Sequence, residues 1–108
     1  MSMLYRNRKE AADACECEAS QARYFSEAAI KAANRGDCGL AWAMADNARI
    51  AARCAMQAHE DLWELANGRL SEAEYEVFIQ AEIAQRDATK AERAAAKAVE
   101  AANRSKEA

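Results

Sequence analysis

The chain has 108 residues, 30 of them alanine, and a net charge of −3 at pH 7. Its length favours one domain over residues 1–108, and its acidic balance argues against direct binding of nucleic acid. No apolar run approaches the length of a membrane span, and the N-terminus lacks the apolar core of a signal peptide, so a cytoplasmic protein is expected.

The first predicted helix spans about residues 3–34 and has a row of small residues along one side. The row advances by four and three residues in turn, which is typical of a helix packed against a neighbour. Gly36 predicts the end of this helix, because glycine readily adopts the left-handed conformation found there. Asp37 is expected to cap the next helix, and so short a turn favours an antiparallel hairpin. The row consists of Ala12, Cys15, Ala19, Ala22, Ser26, Ala29 and Ala33.

The second predicted helix, about residues 38–67, is apolar on more than one side. A second apolar row lies beside its main row and contains both tryptophans and the single histidine, His59. A helix with so little polar surface is expected to lie between two neighbours. The main row consists of Ala41, Met44, Ala48, Ala51, Ala55, Ala58, Leu62 and Leu65.

The third predicted helix spans about residues 72–103. Ser71 and Glu74 have the spacing of a capping box, in which each side chain bonds the backbone N–H of the other residue. From about residue 104 the chain is expected to fray, as chain ends commonly do. The apolar row consists of Val77, Ala81, Ala84, Ala88, Ala91, Ala95, Ala98 and Ala102.

These patterns predict an all-α fold, an antiparallel bundle of three long alanine-rich helices at about 3–34, 38–67 and 72–103. Alanine rows allow close approach of the helices but bury little apolar surface per residue. The larger apolar residues are expected to collect at the two ends of the bundle.

The charge is unevenly distributed along the chain. Between Glu60 and Glu82 there are seven acidic residues and one basic residue, Arg69. This pattern predicts an acidic end that steers a basic partner, with aromatic side chains as anchors. The predicted partner-binding residues are Glu60, Asp61, Glu64, Glu72, Glu74, Glu76 and Tyr75, with Phe78 and Trp63 as further anchors.

The sequence contains no glycine-rich phosphate loop and no catalytic motif, so we expect neither a cofactor nor an enzyme. The expected function is a small protein-binding module, a stoichiometric regulator or inhibitor of a basic partner such as a nucleic-acid-binding protein. In size and acidity the chain is similar to phage-borne inhibitors such as anti-CRISPR proteins, which is an analogy only. The first alternative is a self-associating structural protein, because alanine rows favour a homodimer.

A second alternative is an enzyme, and it depends on Arg53 and His59. Their Arg-x5-His spacing resembles the motif of the HEPN family of helical ribonucleases, and the resemblance implies RNA cleavage across a dimer. Cys54 stands where that family usually has a polar residue after the arginine.

A third alternative is a metal site. The hairpin places Cys15 and Cys17 near the level of Cys54 and His59, and thiolates with imidazole bind zinc. Cysteine also packs well as a small apolar residue, and this is the reading we favour, with no metal bound.

Overall fold

The fold is an all-α bundle of three helices, as the sequence predicts. The computed structural model describes residues 3–107, and side chains through residue 106. Helix α1 spans Arg8–Asn34, α2 spans Cys38–Leu65 and α3 spans Glu72–Glu107. Each helix packs against the other two, in a molecule measuring 57 × 26 × 16 Å.

Helix α1 begins at Arg8, so the predicted start near residue 3 is wrong. Asn7 is extended (φ −145°, ψ 166°), and its side chain accepts a hydrogen bond from the backbone N–H of Glu10 at 2.9 Å. Asparagine is a strong capping residue because its side chain satisfies an N–H that the first turn leaves free. The preceding segment instead crosses to α2, where the backbone N–H of Leu4 donates to Asp61 Oδ2 at 3.0 Å.

Both helix ends that precede a turn close with the same backbone motif. At the first, Gly36 has φ +77°, and the N–H of Asp37 donates to the carbonyl of Ala32 at 2.9 Å. At the second, Asn67 occupies the left-handed position with φ +53°, and the N–H of Gly68 donates to the carbonyl of Trp63 at 3.0 Å. Helix α2 therefore ends at Leu65, two residues before its predicted end.

The predicted caps of α2 and α3 are confirmed. The Asp37 side chain accepts from the backbone N–H of Leu40 at 3.2 Å. The Ser71 hydroxyl accepts from the N–H of Glu74 at 3.2 Å, and the Glu74 carboxylate accepts from the N–H of Ser71 at 2.9 Å. Reciprocal capping of this kind satisfies two N–H groups at the start of α3.

Removing this cap gives a stability prediction. Ser71→Ala is expected to lower the free energy of unfolding by about 1 kcal/mol, because the N–H of Glu74 loses its partner. Chemical denaturation of wild type and variant measures the difference. Ser105→Ala, at an exposed position late in α3, is the matched control. An equal loss in both variants would contradict the role of the cap.

The core consists almost entirely of alanine. Alanines from all three helices are fully or nearly fully buried, and Leu62 is the largest apolar side chain among the fully buried described residues. The predicted row on α3 is correct at its centre, where its five buried alanines lie. They are Ala81, Ala84, Ala88, Ala91 and Ala95.

The buried rows of α1 and α2 deviate from the predicted ones at their ends. Ala11 and Ala32 are buried at the two ends of α1, where Ala12 and Ala33 were expected. Each buried alanine lies one residue before the predicted one, and on α2 the buried residue is Ala45 where Met44 was expected.

Several of the large apolar side chains expected at the two ends are exposed, and most of the others are half-buried. Closely approaching helices leave little room between them for a ring or a branched chain. The exposed large apolar side chains among the described residues are Met3, Leu4, Tyr24, Leu40, Trp42, Ile50, Trp63 and Tyr75, of which Met3 and Ile50 were not expected at the ends.

Helix α3 continues past its predicted end near residue 103. It is regular through Glu107, and Arg104 pairs with Glu100 one turn earlier at 2.5 Å. No glycine or proline interrupts it, and basic residues in the last turn complement the helix dipole. Ala108, in the segment expected to fray, lies outside the described residues.

Candidate functional site

The predicted acidic end is only partly a surface of free carboxylates. Glu60 and Glu64 on α2, with Glu72 and Glu76 on α3, are exposed. None of these four forms an ion pair with another described residue. Tyr75 is 56% exposed, as an anchor would require. The other two predicted residues, Asp61 and Glu74, have different roles.

Asp61 does not belong to the surface. It is 2% exposed, and its carboxylate accepts from the backbone N–H of Leu4 at 3.0 Å and from the Gln57 amide at 2.9 Å. A buried carboxylate is stabilised by such hydrogen bonds. Asp61 therefore holds the N-terminal segment against α2, and its assignment as a partner-binding residue is corrected.

Glu74 is already paired within the molecule. Its carboxylate accepts two hydrogen bonds from the Arg8 guanidinium, one of them at 2.9 Å, and Arg8 also donates to the carbonyl of Arg69. The hydrogen bonds from Arg8, helped by those from Ser71, lower the pKa of Glu74 to about 2. This carboxylate thus joins the starts of α1 and α3 and is not free to meet a partner.

The Arg8–Glu74 pair predicts an acid dependence of stability. The pKa of Glu74 is about 2 in the folded protein and 4.5 in the unfolded chain. The ionised carboxylate therefore contributes fully to the free energy of unfolding above pH 4.5, and this contribution is lost as the pH falls towards 2. Glu74→Gln is expected to flatten the pH dependence of the free energy of unfolding in this window. Denaturation at several pH values measures it, with exposed Glu72→Gln as the control. An unchanged slope in Glu74→Gln would contradict the pairing.

Four aromatic rings gather where α2 and α3 meet near Gly68. The imidazole of His59 stacks on Phe78, with ring centroids 3.4 Å apart and planes 20° from parallel. The ring centroids of Trp63 and Tyr75 lie 5.7 Å and 6.5 Å from the Phe78 centroid. We call His59, Trp63, Tyr75 and Phe78 the aromatic cluster. Rings at these separations attract one another, and this attraction holds the exposed rings of Trp63 and Tyr75 in place.

An open groove of about 670 Å³ lies against this cluster. Its charged residues are Arg53 at one end and Glu60 towards the other, where Glu64 follows one turn later along α2. The groove is thus apolar within, and its rim changes from basic to acidic towards Gly68. It is lined by Arg53, Met56, Gln57, His59, Glu60, Trp63 and Phe78.

His59 is half-buried in the groove wall, where its ring stacks on Phe78. Its Nε2 atom is buried without a hydrogen-bond partner among the described residues, and the nearest carboxylate oxygen, on Glu82, is 3.9 Å away. Burial lowers the pKa of His59 despite the opposing effect of Glu82 and Glu60. Arg53 lines the same groove, but His59 could reach a substrate through Nε2 only after leaving Phe78. The arrangement gives the HEPN resemblance no geometric support.

The cysteines are dispersed. Cys15 is buried with its thiol 3.6 Å from the carbonyl of Val77, while Cys17 and Cys54 are exposed. The part of the chain that the structure describes contains no group of three or more cysteine, histidine or acidic side chains able to hold a metal. The proposed set of Cys15, Cys17, Cys54 and His59 is therefore not assembled in this conformation.

Thiol reactivity is expected to follow this burial. Burial raises the pKa of Cys15 to about 11, which keeps it protonated and unreactive near neutral pH. In a brief alkylation of the native protein, Cys17 and Cys54 are expected to react and Cys15 only after denaturation. Peptide mass spectrometry reads each site. Equal labelling of Cys15 and Cys17 in the native protein would contradict the packing.

Two parts of this site were beyond the sequence analysis. The sequence did not predict the stacking of His59 on Phe78, although its apolar and charge patterns placed Trp63 and Phe78 at the same end of the bundle. The Arg8–Glu74 pair has no local signal, because its members are 66 residues apart. Apolar spacing gives the level of a residue in the bundle, but not the partner of a long polar side chain.

Among the described residues, no helix combines the length and apolarity that crossing a membrane requires. No family model, curated protein or solved structure matches the chain.

Proposed function

We propose that this protein is a small non-enzymatic binding module, which docks a basic partner protein in the groove between α2 and α3. The observation that carries the proposal is the combination of an open apolar groove of about 670 Å³ with unpaired carboxylates at its Gly68 end. Concave apolar surfaces with a few placed polar groups are the usual form of a binding site.

The aromatic cluster supplies the anchors. Trp63 is 49% exposed and Tyr75 is 56% exposed, yet both lie against Phe78. A ring that is ordered before binding loses little entropy when a partner covers it, and tryptophan and tyrosine often dominate binding energy. An apolar side chain of the partner is expected to enter between Trp63 and Met56.

The free carboxylates supply orientation. Glu60 lies on the groove rim and Glu64 follows one turn later, so lysine or arginine side chains of the partner are expected at this end. Arg53, at the other end of the groove, disfavours a second basic group there. Complementary charge of this kind speeds association and selects the direction of binding.

The partner class follows from this charge. A nucleic-acid-binding protein presents the basic surface that Glu60 and Glu64 would meet, and a stoichiometric inhibitor would cover that surface. The proposal extends to a cytoplasmic role of the anti-CRISPR type, by analogy of size and acidity alone.

A tagged pull-down from host lysate tests the proposal, with bound proteins identified and quantified by mass spectrometry. Wild type is expected to retain a basic protein in a 1:1 ratio, and Glu60→Lys/Glu64→Lys is expected to lose it. Glu16→Lys/Glu27→Lys, at exposed positions on α1, makes the same change of net charge and should retain it.

Two outcomes would overturn this function. One is equal retention of the same proteins by wild type and by Glu60→Lys/Glu64→Lys. The other is recovery of this protein alone by every variant. Circular dichroism of each variant checks that the helices persist, so that a loss of binding is not a loss of fold.

A further inference from the structure

Helix α3 has a second regular row, on the side away from its buried alanines. The row advances by four and three residues in turn along the helix. It begins with two glutamates, continues with two isoleucines and ends with four basic residues. We call it the outer stripe: Glu72, Glu76, Ile79, Ile83, Arg86, Lys90, Arg93 and Lys97.

The outer stripe has no partner within the described bundle. Its six charged residues are all exposed, and none forms an ion pair with another described residue. Ile79 and Ile83 are half-buried, so each still presents apolar surface at the centre of the stripe. Nearby charges on α3 behave differently, since Asp87 pairs with Arg23 and Glu92 lies 3.9 Å from Arg49.

The first six residues of the stripe, Glu72 to Lys90, complement themselves when their order is reversed. If two copies of α3 lie antiparallel with the dyad between Ile79 and Ile83, Ile79 of one copy faces Ile83 of the other. In the same register Glu76 faces Arg86. One turn further out, Glu72 of one copy faces Lys90 of the other. Two-fold symmetry forms each of these three pairs twice, so all of them occur together in one register.

The parallel arrangement has no such match, because it brings Glu72 against Glu72 and Lys90 against Lys90. An antiparallel register shifted by one heptad brings glutamate against isoleucine in one direction. In the other direction it pairs the glutamates with Lys97 and Arg93 but brings both isoleucines against basic residues. Charge therefore selects the antiparallel direction, and the match of isoleucine with isoleucine selects the register.

We propose that a second copy of this chain pairs antiparallel with the first through the outer stripe of α3, forming a two-fold homodimer centred on Ile79 and Ile83. This interface goes beyond the proposed partner function. It uses neither the groove nor Glu60 and Glu64, so either proposal can fail without the other.

The strength of the interface follows from its composition. Exposed ion pairs contribute little individually and weaken with salt, and the apolar layer consists of two isoleucines from each chain. The dimer is expected to be weak, to form at high protein concentration and to dissociate as salt is raised.

Sedimentation velocity over a concentration series tests the proposal, using wild type and two charge-reversed variants. Glu72→Lys/Glu76→Lys places like charges opposite each other, and so does Arg86→Glu/Lys90→Glu. For each variant alone, the dissociation constant of the dimer is expected to be at least about tenfold higher than for wild type. Mixed together, the two variants restore every opposite-charge pair and are expected to form a 1:1 heterodimer.

The two variants could attract each other through their net charges alone. A second mixture, matched in net charge, separates this effect from pairing along the outer stripe. Glu16→Lys/Glu27→Lys has the same net charge as Glu72→Lys/Glu76→Lys but an intact stripe. Mixed with Arg86→Glu/Lys90→Glu, it is expected to form less heterodimer, because glutamate then faces glutamate in half of the contacts. Wild type that stays monomeric at the highest concentration would overturn the proposal, and so would equal association in both mixtures.

Discussion

Leu62→Ala is expected to lower the free energy of unfolding by about 2–5 kcal/mol. Leu62 is fully buried, and it is the largest apolar side chain among the fully buried described residues. Removing it loses the burial of its methyl groups and leaves a cavity that rigid helices fill only in part. A domain of this size is stabilised by about 5–15 kcal/mol in total, so this single loss is a large fraction.

Thermal and chemical denaturation followed by circular dichroism measure this effect, with a drop in Tm of roughly 10 °C or more expected. Leu40→Ala is the matched control, because Leu40 lies on the same helix but is 40% exposed. Leu40→Ala is expected to lower the free energy of unfolding much less than Leu62→Ala does. Equal losses for the two variants would show that Leu62 is not the centre of the apolar packing at the Gly68 end.

Ala55→Leu is expected to destabilise the protein by about 1–3 kcal/mol. Ala55 is fully buried in the middle of α2, within a cluster built mostly of alanines from all three helices. Close approach of the helices leaves no space for three more carbon atoms, so a leucine there forces the helices apart.

Ala43→Leu is the control for Ala55→Leu. Ala43 lies on the same helix but is exposed, and leucine is nearly as good a helix former as alanine. Its Tm is expected to stay close to that of wild type. A Tm for Ala55→Leu as high as that of Ala43→Leu would contradict the close alanine packing.

Apolar spacing predicted the bundle well because the whole core depends on it. The centre of the α3 row is buried as predicted, and so are Cys15, Ala19, Ala22, Ser26 and Ala29 on α1. The turn and cap residues were also predictable, because Gly36, Asp37 and Ser71 act through bonds to residues a few positions away.

Contacts between distant polar residues could not be read from such patterns. Asp61 looked like part of an acidic surface, yet its carboxylate bonds a backbone N–H 57 residues away. Charge counts place an acidic residue near an end of the bundle, but they do not tell which carboxylates form hydrogen bonds within the protein. The groove had a partial signal, since Trp63 and Phe78 were expected at the same level.

The most direct test of the central claim follows the groove itself during binding. Trp42→Phe leaves Trp63 as the sole tryptophan, so its fluorescence reports on the groove alone. The probes are two amphipathic helical peptides with the same leucine row, one carrying lysines and the other glutamates. The lysine peptide is expected to shift Trp63 emission to the blue and to saturate at one peptide per protein, with weaker binding after Glu60→Lys/Glu64→Lys. An equal shift with the glutamate peptide, or no shift with either, would contradict an acid-flanked docking groove.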